Sequence, residues 1–345
     1  MIEKFIVSRD DKVYQAWPDM AADADGSLVC VFTECVHHSD RTGSRLMTTI
    51  SRDGGETWSK KRPLTEKTDG ASFWNNARIS LLEDGKLYIV CDKANYSEDE
   101  AGEIYLFESV DGGETWSDAK KLPCFGIVPS KLTELKYGVN KGRRIIMAHS
   151  HDENDLYTVR SWYSDDKGQS WTGPVTVACS KEYKLCEAAP VELKNGVLAV
   201  FLRENSSSGL DAFKTFSYDG GVSFQGLFTA PLPGCHRPVA DYVDEKTVMI
   251  TYRFMQGGKG WLGHWTQNVF AAFMSDEDVA EKERRHQSSR IMPLDYDRSP
   301  VSDLGYTGFA KLKDGRIYVV NYIVDDAPKA HIRGYRFSEK DVILK

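Results

Sequence analysis

The chain has 345 residues, a formal net charge of −7, 11% aromatic residues, 28% charged residues and seven cysteines. Its length suffices for a large buried core, and its aromatic content excludes a disordered chain. The acidic balance leaves no basic footprint for nucleic acid and disfavours anionic membrane surfaces, and no apolar run approaches the ~20 residues of a membrane span.

The start, Met1-Ile2-Glu3-Lys4, runs into a mixed segment and offers no apolar stretch of the secretion-signal kind. The cysteine count is odd, no pair has CxxC spacing, and several cysteines sit in apolar runs such as Leu28-Val29-Cys30-Val31-Phe32. Buried free thiols in a reducing compartment follow, and with them a cytoplasmic location. After an extended segment at 3–7 come six apolar runs folded about polar turns. They are 20–32 around Asp25-Gly26, 79–91 around Asp84-Gly85, 132–149 around Tyr137-Gly138-Val139-Asn140, 190–202 around Asn195-Gly196, 239–252 around Asp244-Glu245, and 309–320 around Asp314-Gly315. Each reads as a β-hairpin.

A second motif is interleaved with these hairpins. Ser51-Arg52-Asp53-Gly54-Gly55-Glu56-Thr57-Trp58 returns as Ser109 to Trp116, as Ser164 to Trp171, as a weaker copy Ser217 to Phe224, and as a remnant at Ser275-Asp276-Glu277. The copies recur every 53–58 residues. One unit is therefore hairpin, loop, strand, motif turn and strand, which makes four strands in about 55 residues and is the sequence form of a propeller blade. The chain is predicted to be all-β, a six-bladed β-propeller with four-stranded antiparallel blades in one domain over 1–345. Segments 3–7 and 331–337 are predicted to share a blade and close the ring, removing exposed sheet edges. One short helix is predicted at 275–285. In a four-stranded meander, alternate turns lie on opposite faces. The Asp motifs and the hairpin turns share one face, where the motif's Ser and Asp cap a tight turn and its Trp packs between sheets. The starts and ends of the hairpins share the other face.

Those hairpin flanks collect unusual chemistry. The starts carry Trp17 and Asp19, Asn76 and Arg78, Glu187, His236 and Arg237, and Tyr306; the ends carry His37, His38, Asp40, His149, His151, Arg203 and Arg253. Positions chosen by repeat phase alone thus hold five of the eight histidines with many arginines and carboxylates. A central polar pocket on this face is the main functional inference. No metal and no other cofactor is expected. A small glycan is the expected partner, with no nucleic acid and no membrane.

The repeats and these flanks resemble the sialidase superfamily of six-bladed, Asp-box propellers, over nearly the whole chain. The resemblance implies roles residue by residue. Glu187, in Leu185-Cys186-Glu187-Ala188-Ala189, is similar to the family's Glu before a hairpin. Arg203, in Phe201-Leu202-Arg203-Glu204-Asn205, is similar to the Arg that grips a substrate carboxylate. Tyr306, in Gly305-Tyr306-Thr307-Gly308, is similar to the catalytic Tyr of the last blade, and Asp40 falls where the family carries its acid/base Asp. A phenol beside a carboxylate forms a nucleophile and base pair, the Tyr exception among glycosidases. Asp40 would protonate the leaving oxygen and Arg203 would orient an anionic sugar. Arg237 and Arg253 are candidates for a third arginine. Arg78, Asn76, Asp19, His37, His38, His151 and His236 are candidate contacts to substrate. The chain departs from the family where Arg-Ile-Pro opens blade one. Here it reads Ala16-Trp17-Pro18, so Trp17, with Trp74, would stack on a sugar instead. The expected activity is an exo-acting glycoside hydrolase that removes a terminal acidic or modified sugar. The alternatives are a polysaccharide lyase acting on a uronate and a glycan-binding propeller without catalysis.

Overall fold

The strand Leu28–Cys35 shows why this sequence closes into a ring. All eight of its residues are buried. Side chains alternate across a strand, so its two faces must meet two different neighbours. Leu28, Cys30 and Phe32 pack with Tyr318 and Val320 of the last blade, while Val29 and Val31 pack with Ile79 and Ile89 of the next. The strand therefore reads as one continuous apolar run. Each large side chain buried in this way contributes roughly 1.5–3 kcal/mol. Ile317–Ile323 repeats the pattern in the last blade, with every residue buried.

In this computed structural model, residues 1–95, 101–255, 267–338 and 341 are described. They form six four-stranded antiparallel sheets, as the repeats predict. Blades one to five span 14–63, 72–125, 133–179, 185–233 and 235–296. Blade six takes three strands from 304–337 and its outermost strand from the other end of the chain. There Glu3–Ser8 pairs antiparallel with His331–Phe337, placing Glu3 opposite Arg336. The expected sharing of a blade by the two end segments is what the sheets show. The six apolar clusters lie between blades or within them, and the axis is left to polar side chains.

Each Asp motif caps a turn. Gly55 N–H donates to Ser51 Oγ at 2.9 Å, Ser51 Oγ–H to Asp53 Oδ1 at 2.8 Å, and Thr57 N–H to Asp53 Oδ1 at 2.9 Å. The same three bonds recur around Asp111, Asp166 and Asp219. In the degenerate fifth blade the motif's Ser survives in another task. Ser275 caps the helix Asp276–Ala280 by accepting the Asp278 amide at 3.1 Å. That helix is shorter than the predicted 275–285, and a 3-10 turn, Arg284–His286, follows it.

Two neighbouring glycines in the first motif separate backbone strain from crowding. Gly54 has φ +70° and a Cβ there would meet only Arg336 Nη1, at an ordinary 3.9 Å, whereas Gly55 has φ +88° and a Cβ there would lie 1.9 Å from the Tyr318 ring. Gly54→Ala is expected to lower stability by about 1–2 kcal/mol, the left-handed penalty alone. Gly55→Ala is expected to add an overpacking cost of about 1–3 kcal/mol. Urea unfolding of the two variants, side by side, checks the difference.

Candidate functional site

The innermost strand of every blade carries the same irregularity. Trp17, Asn76, Val128, Glu187, Arg237 and Tyr306 all adopt left-handed backbone, with φ between +36° and +55°. In five blades this residue lies where the register slips, between Ala16 and Asp19, Asn75 and Arg78, Cys186 and Ala189, His236 and Val239, and Gly305 and Gly308. In blade three it lies beside the isolated bridge of Ile127 to His149. A bulge of this kind re-aims a side chain and frees an amide, and non-glycine residues hold left-handed backbone at a cost of about 1–3 kcal/mol. The bulges form a ring around the axis.

A second ring lies opposite the residues just before the bulges. Across the ladder these residues face Thr33, Asp92, His149, Arg203, Arg253 and Tyr322, one from each blade's second strand. The rings are tied together from blade to blade. Asp92 Oδ1 accepts the Val128 amide at 3.1 Å, His149 Nδ1 accepts the Glu187 amide at 3.5 Å, and Glu187 Oε2 accepts the Arg237 amide at 2.9 Å. The amide freed by each of these bulges is thus held by a side chain of the preceding blade.

Within this frame Tyr306, Glu187 and Arg203 meet. The Tyr306 hydroxyl donates to Glu187 Oε1 in a short hydrogen bond. Arg203 Nη1 donates to the same oxygen at 3.0 Å and approaches Tyr306 Oη at 3.2 Å. Arg253 lies over the Tyr306 ring, 5.0 Å from its centroid, and its Nη2 donates to His236 Nδ1 at 3.2 Å. Burial opposes a charge on Glu187, but Arg203, Arg237 and the Tyr306 hydroxyl outweigh it and hold the carboxyl far below the usual range. Burial and the Glu187 charge push the Tyr306 phenol up, against Arg203 and Arg253. The resting pair is a phenol and a carboxylate, which is the state from which a proton passes from Tyr306 to Glu187 as the phenol attacks.

Of the residues expected at the site, the structure brings together Tyr306, Glu187, Arg203, Arg253 and His236. The guanidinium of Arg237 lies 5.9 Å from the Tyr306 ring centroid but gives its hydrogen bonds to backbone: its Nη1 and Nη2 donate to Val128 O at 3.1 Å and Pro129 O at 2.7 Å, while its amide holds Glu187. Arg78 donates to Thr307 O at 2.6 Å and lies 3.8 Å from Asp19. Asp19 accepts the Ile79 amide at 2.9 Å and pairs with Lys131 at 3.2 Å. Arg78, Asp19 and Arg237 therefore knit the inner strands, where substrate contacts were expected. Arg78, Lys131 and Arg237 border a cavity of about 580 Å³ on the opposite, turn-bearing face. Trp17 is only 1% exposed and lies under Arg41, 4.4 Å from its centroid, so its ring is not free to stack on a sugar. Trp74 is buried against Tyr105, with Lys93 over its ring. Asn76 is buried too, inside the ring. His37 is exposed beside Tyr14, and His151 is exposed and stacked on Tyr157. Asp40 is exposed, its Oδ1 accepting the Thr42 amide at 3.0 Å, and the hydrogen bonds from Thr42 lower its pKa. Among the described residues, no hydrogen bond or ion pair joins Asp40 to the Tyr306 pair.

His38 is the exception among the loop residues. Its Nδ1 lies 3.0 Å from Asp303 Oδ1, and Tyr14 and Tyr322 both donate to the same carboxylate. Asp303 and Asp92 went unpredicted as site residues. Asp303 stands three residues before Tyr306, and that proximity was its only sequence signal. Asp92 stands where the second hairpin ends, in phase with Arg203 and Arg253.

A family profile described as BNR repeat-like domain matches residues 65–236, and one described as BNR/Asp-box repeat matches residues 49–60. No curated protein matches the chain by sequence. Among solved structures, a protein of unknown function from Dyadobacter fermentans is similar with a TM-score of 0.78 at 19% identity, over 97% of this chain and 98% of that one. The intramolecular trans-sialidase from Ruminococcus gnavus, in complex with oseltamivir carboxylate, gives 0.71 at 14% identity, over 96% of each chain. The NanB sialidase from Streptococcus pneumoniae gives 0.69 at 13% identity, over 96% of this chain and 69% of that one. At these identities the likeness is one of fold, and it extends around the whole ring.

Three buried histidines tie stability to pH. Burial pulls His149 down to about 3 and His331 to about 4, and pulls His236 well below its ordinary value. The unfolded chain binds a proton at each near pH ~6.5, whereas the folded chain refuses it until lower pH. Stability is therefore fully expressed above about pH 6.5 and falls as pH drops from there towards the folded values. His331→Gln, two strands away from Tyr306 in the same blade, is expected to flatten this slope between about pH 6.5 and 4, as read by urea unfolding at a series of pH values.

Proposed function

We propose that this sialidase-like BNR-repeat propeller is an exo-acting glycoside hydrolase for a terminal acidic sugar, with Tyr306 as nucleophile and Glu187 as its base. The observation that carries the reading is the hydrogen bond from the Tyr306 hydroxyl to a Glu187 carboxylate that three arginine and tyrosine groups keep charged. As Tyr306 Oη bonds to the anomeric carbon, the glycosidic bond breaks, the aglycone leaves with a proton from the acid, and the phenolic proton passes to Glu187. Water then attacks the glycosyl-tyrosine and the proton returns. With no arginine in the Arg-Ile-Pro slot and Arg237 bonded to backbone carbonyls, Arg203 and Arg253 are the arginines left to meet a substrate carboxylate.

The preference for an acidic sugar rests on charge. Arg203 already faces Glu187. Arg253 is buried and, among the described residues, has a hydrogen-bond partner only in His236, which burial keeps neutral. Asp303 acts on Arg253 through charge alone, and a substrate carboxylate would supply the direct charge-assisted hydrogen bond that this buried arginine lacks. Protonation of the leaving oxygen is the remaining requirement. Asp40 as placed does not meet it, because an acid needs a pKa near the working pH and the Thr42 hydrogen bonds hold Asp40 in its charged form.

A panel of sialic acid and hexuronic acid glycosides tests the reading. Tyr306→Phe and Glu187→Gln are expected to lower turnover about a thousandfold or more. Arg253→Met is expected to raise KM for an acidic sugar about 10–100-fold, the loss of one charge-assisted hydrogen bond of about 1.5–3 kcal/mol. A product absorbing in the near ultraviolet would mean a new double bond and a lyase. Binding without turnover across the panel would leave a recognition module.

A further inference from the structure

The seam between blades six and one holds a group of side chains that the nucleophile pair does not use. His38 leaves the end of the strand Leu28–Cys35 and reaches across to blade six. Its Nδ1 lies 3.0 Å from Asp303 Oδ1 and 3.2 Å from Oδ2. Asp303 is itself fixed. Its amide donates to Asp297 Oδ2 at 2.9 Å, and its carboxylate accepts the hydroxyls of Tyr14 and, at 3.0 Å, Tyr322. The His38 ring meets Trp17 edge-on at 5.3 Å and lies 6.5 Å from the Tyr322 ring, which in turn lies 6.5 Å from the Tyr306 ring. His38 thus stands one aromatic ring away from the nucleophile. Its side chain is 37% exposed, and no hydrogen bond of its Nε2 is found among the described residues.

We propose that His38, oriented by Asp303, is the proton donor and acceptor of the reaction; the proposal rests on the glycosidase reading above. A carboxylate on Nδ1 selects the tautomer with its proton there and leaves Nε2 as the working nitrogen. Burial alone would raise Asp303, but the hydrogen bonds from His38 and Tyr14 and the charge of Arg253 lower it, so the orienting group is an anion. In the first step the Nε2 proton of the imidazolium goes to the glycosidic oxygen as its bond to the anomeric carbon breaks. Tyr306 Oη bonds to that carbon and its own proton goes to Glu187. In the second step water attacks the glycosyl-tyrosine, one water proton goes to His38 Nε2, and Glu187 returns the phenolic proton. One glycosidic bond and one water become two hydroxyl groups, with every proton accounted for. The charged or titratable groups facing His38 are Tyr14 from blade one, Asp303 and Tyr322 from blade six, and His37, Asp40 and Arg41 on its own loop, with Arg253 acting on Asp303 from blade five.

The test uses two glycosides of the sugar that the wild type releases: the methyl glycoside and the 4-nitrophenyl glycoside. An acid matters only when the leaving group is poor. His38→Ala is expected to lose about 10²–10⁴-fold on the methyl glycoside. It should stay within a few-fold on the nitrophenyl one and lose the alkaline limb of its pH profile. Asp303→Asn removes the charge and one of the two acceptor oxygens, and is expected to move that limb to lower pH without changing the trend with leaving group. Equal losses on both glycosides, or none on either, would overturn the assignment. So would the same signature in Asp40→Ala while His38→Ala behaves as wild type. A wild type that cleaves neither glycoside, nor any member of the panel, removes the glycosidase reading and the dyad with it; that outcome is distinct, because the unmutated protein is then silent.

Discussion

The left-handed residue in each innermost strand is the constraint on which the site depends. A strand with regular pleat would send alternate side chains into the two neighbouring blades and none along the ring's centre. A bulge breaks that alternation in five blades, and in blade three the left-handed Val128 does so ahead of the short innermost strand. Trp17, Asn76, Val128, Glu187, Arg237 and Tyr306 are held in a conformation that β-branched and bulky residues avoid. The sheets on either side over-determine the backbone there, and the preceding blade captures the freed amide in blades three to five. Strain, hydrogen bonding and placement of the reactive groups are thus one feature.

The polar axis divides its charges between two tasks. Arg78 and Arg237 give their guanidinium hydrogen bonds to backbone carbonyls of other blades, which locks the inner strands against each other. Arg203 and Arg253 come from the second strands and remain beside Tyr306. Glu187 belongs to both groups. One of its oxygens holds the Arg237 amide and the other faces Tyr306 and Arg203. Taking such groups out of water is costly, and the arrangement returns geometric specificity in place of stability.

The ring itself was legible in the sequence because a blade is a local object. Its hairpin and its Ser-Asp turn both fall within about 55 residues, and the period places every blade. Glu187, Arg203 and Tyr306 were legible for a related reason: repeat phase fixes which positions lie near the axis. Phase does not fix the direction of a side chain. A slip of one residue sends it to the opposite side of the sheet. Arg78 and Asp19, just past their bulges, therefore point where Arg203 does not. Trp17 occupies a bulge and yet is covered, because Arg41 arrives over it from the loop after its blade's second strand. Asp303 was hidden because its partner His38 is 265 residues away and the loops that bring them together carry no repeat.

Closure of blade six has a consequence for how the chain is made. Glu3 leaves the ribosome 333 residues before its partner Arg336. The strands between can pair blade by blade as they emerge, since each meander is contiguous. Tyr306 lies in the one blade that cannot be completed in that way, while Glu187 belongs to a blade finished long before. The two halves of the reactive pair therefore mature at different times. The blade that carries Tyr306 is complete only when the strand Glu3–Ser8 returns to His331–Phe337.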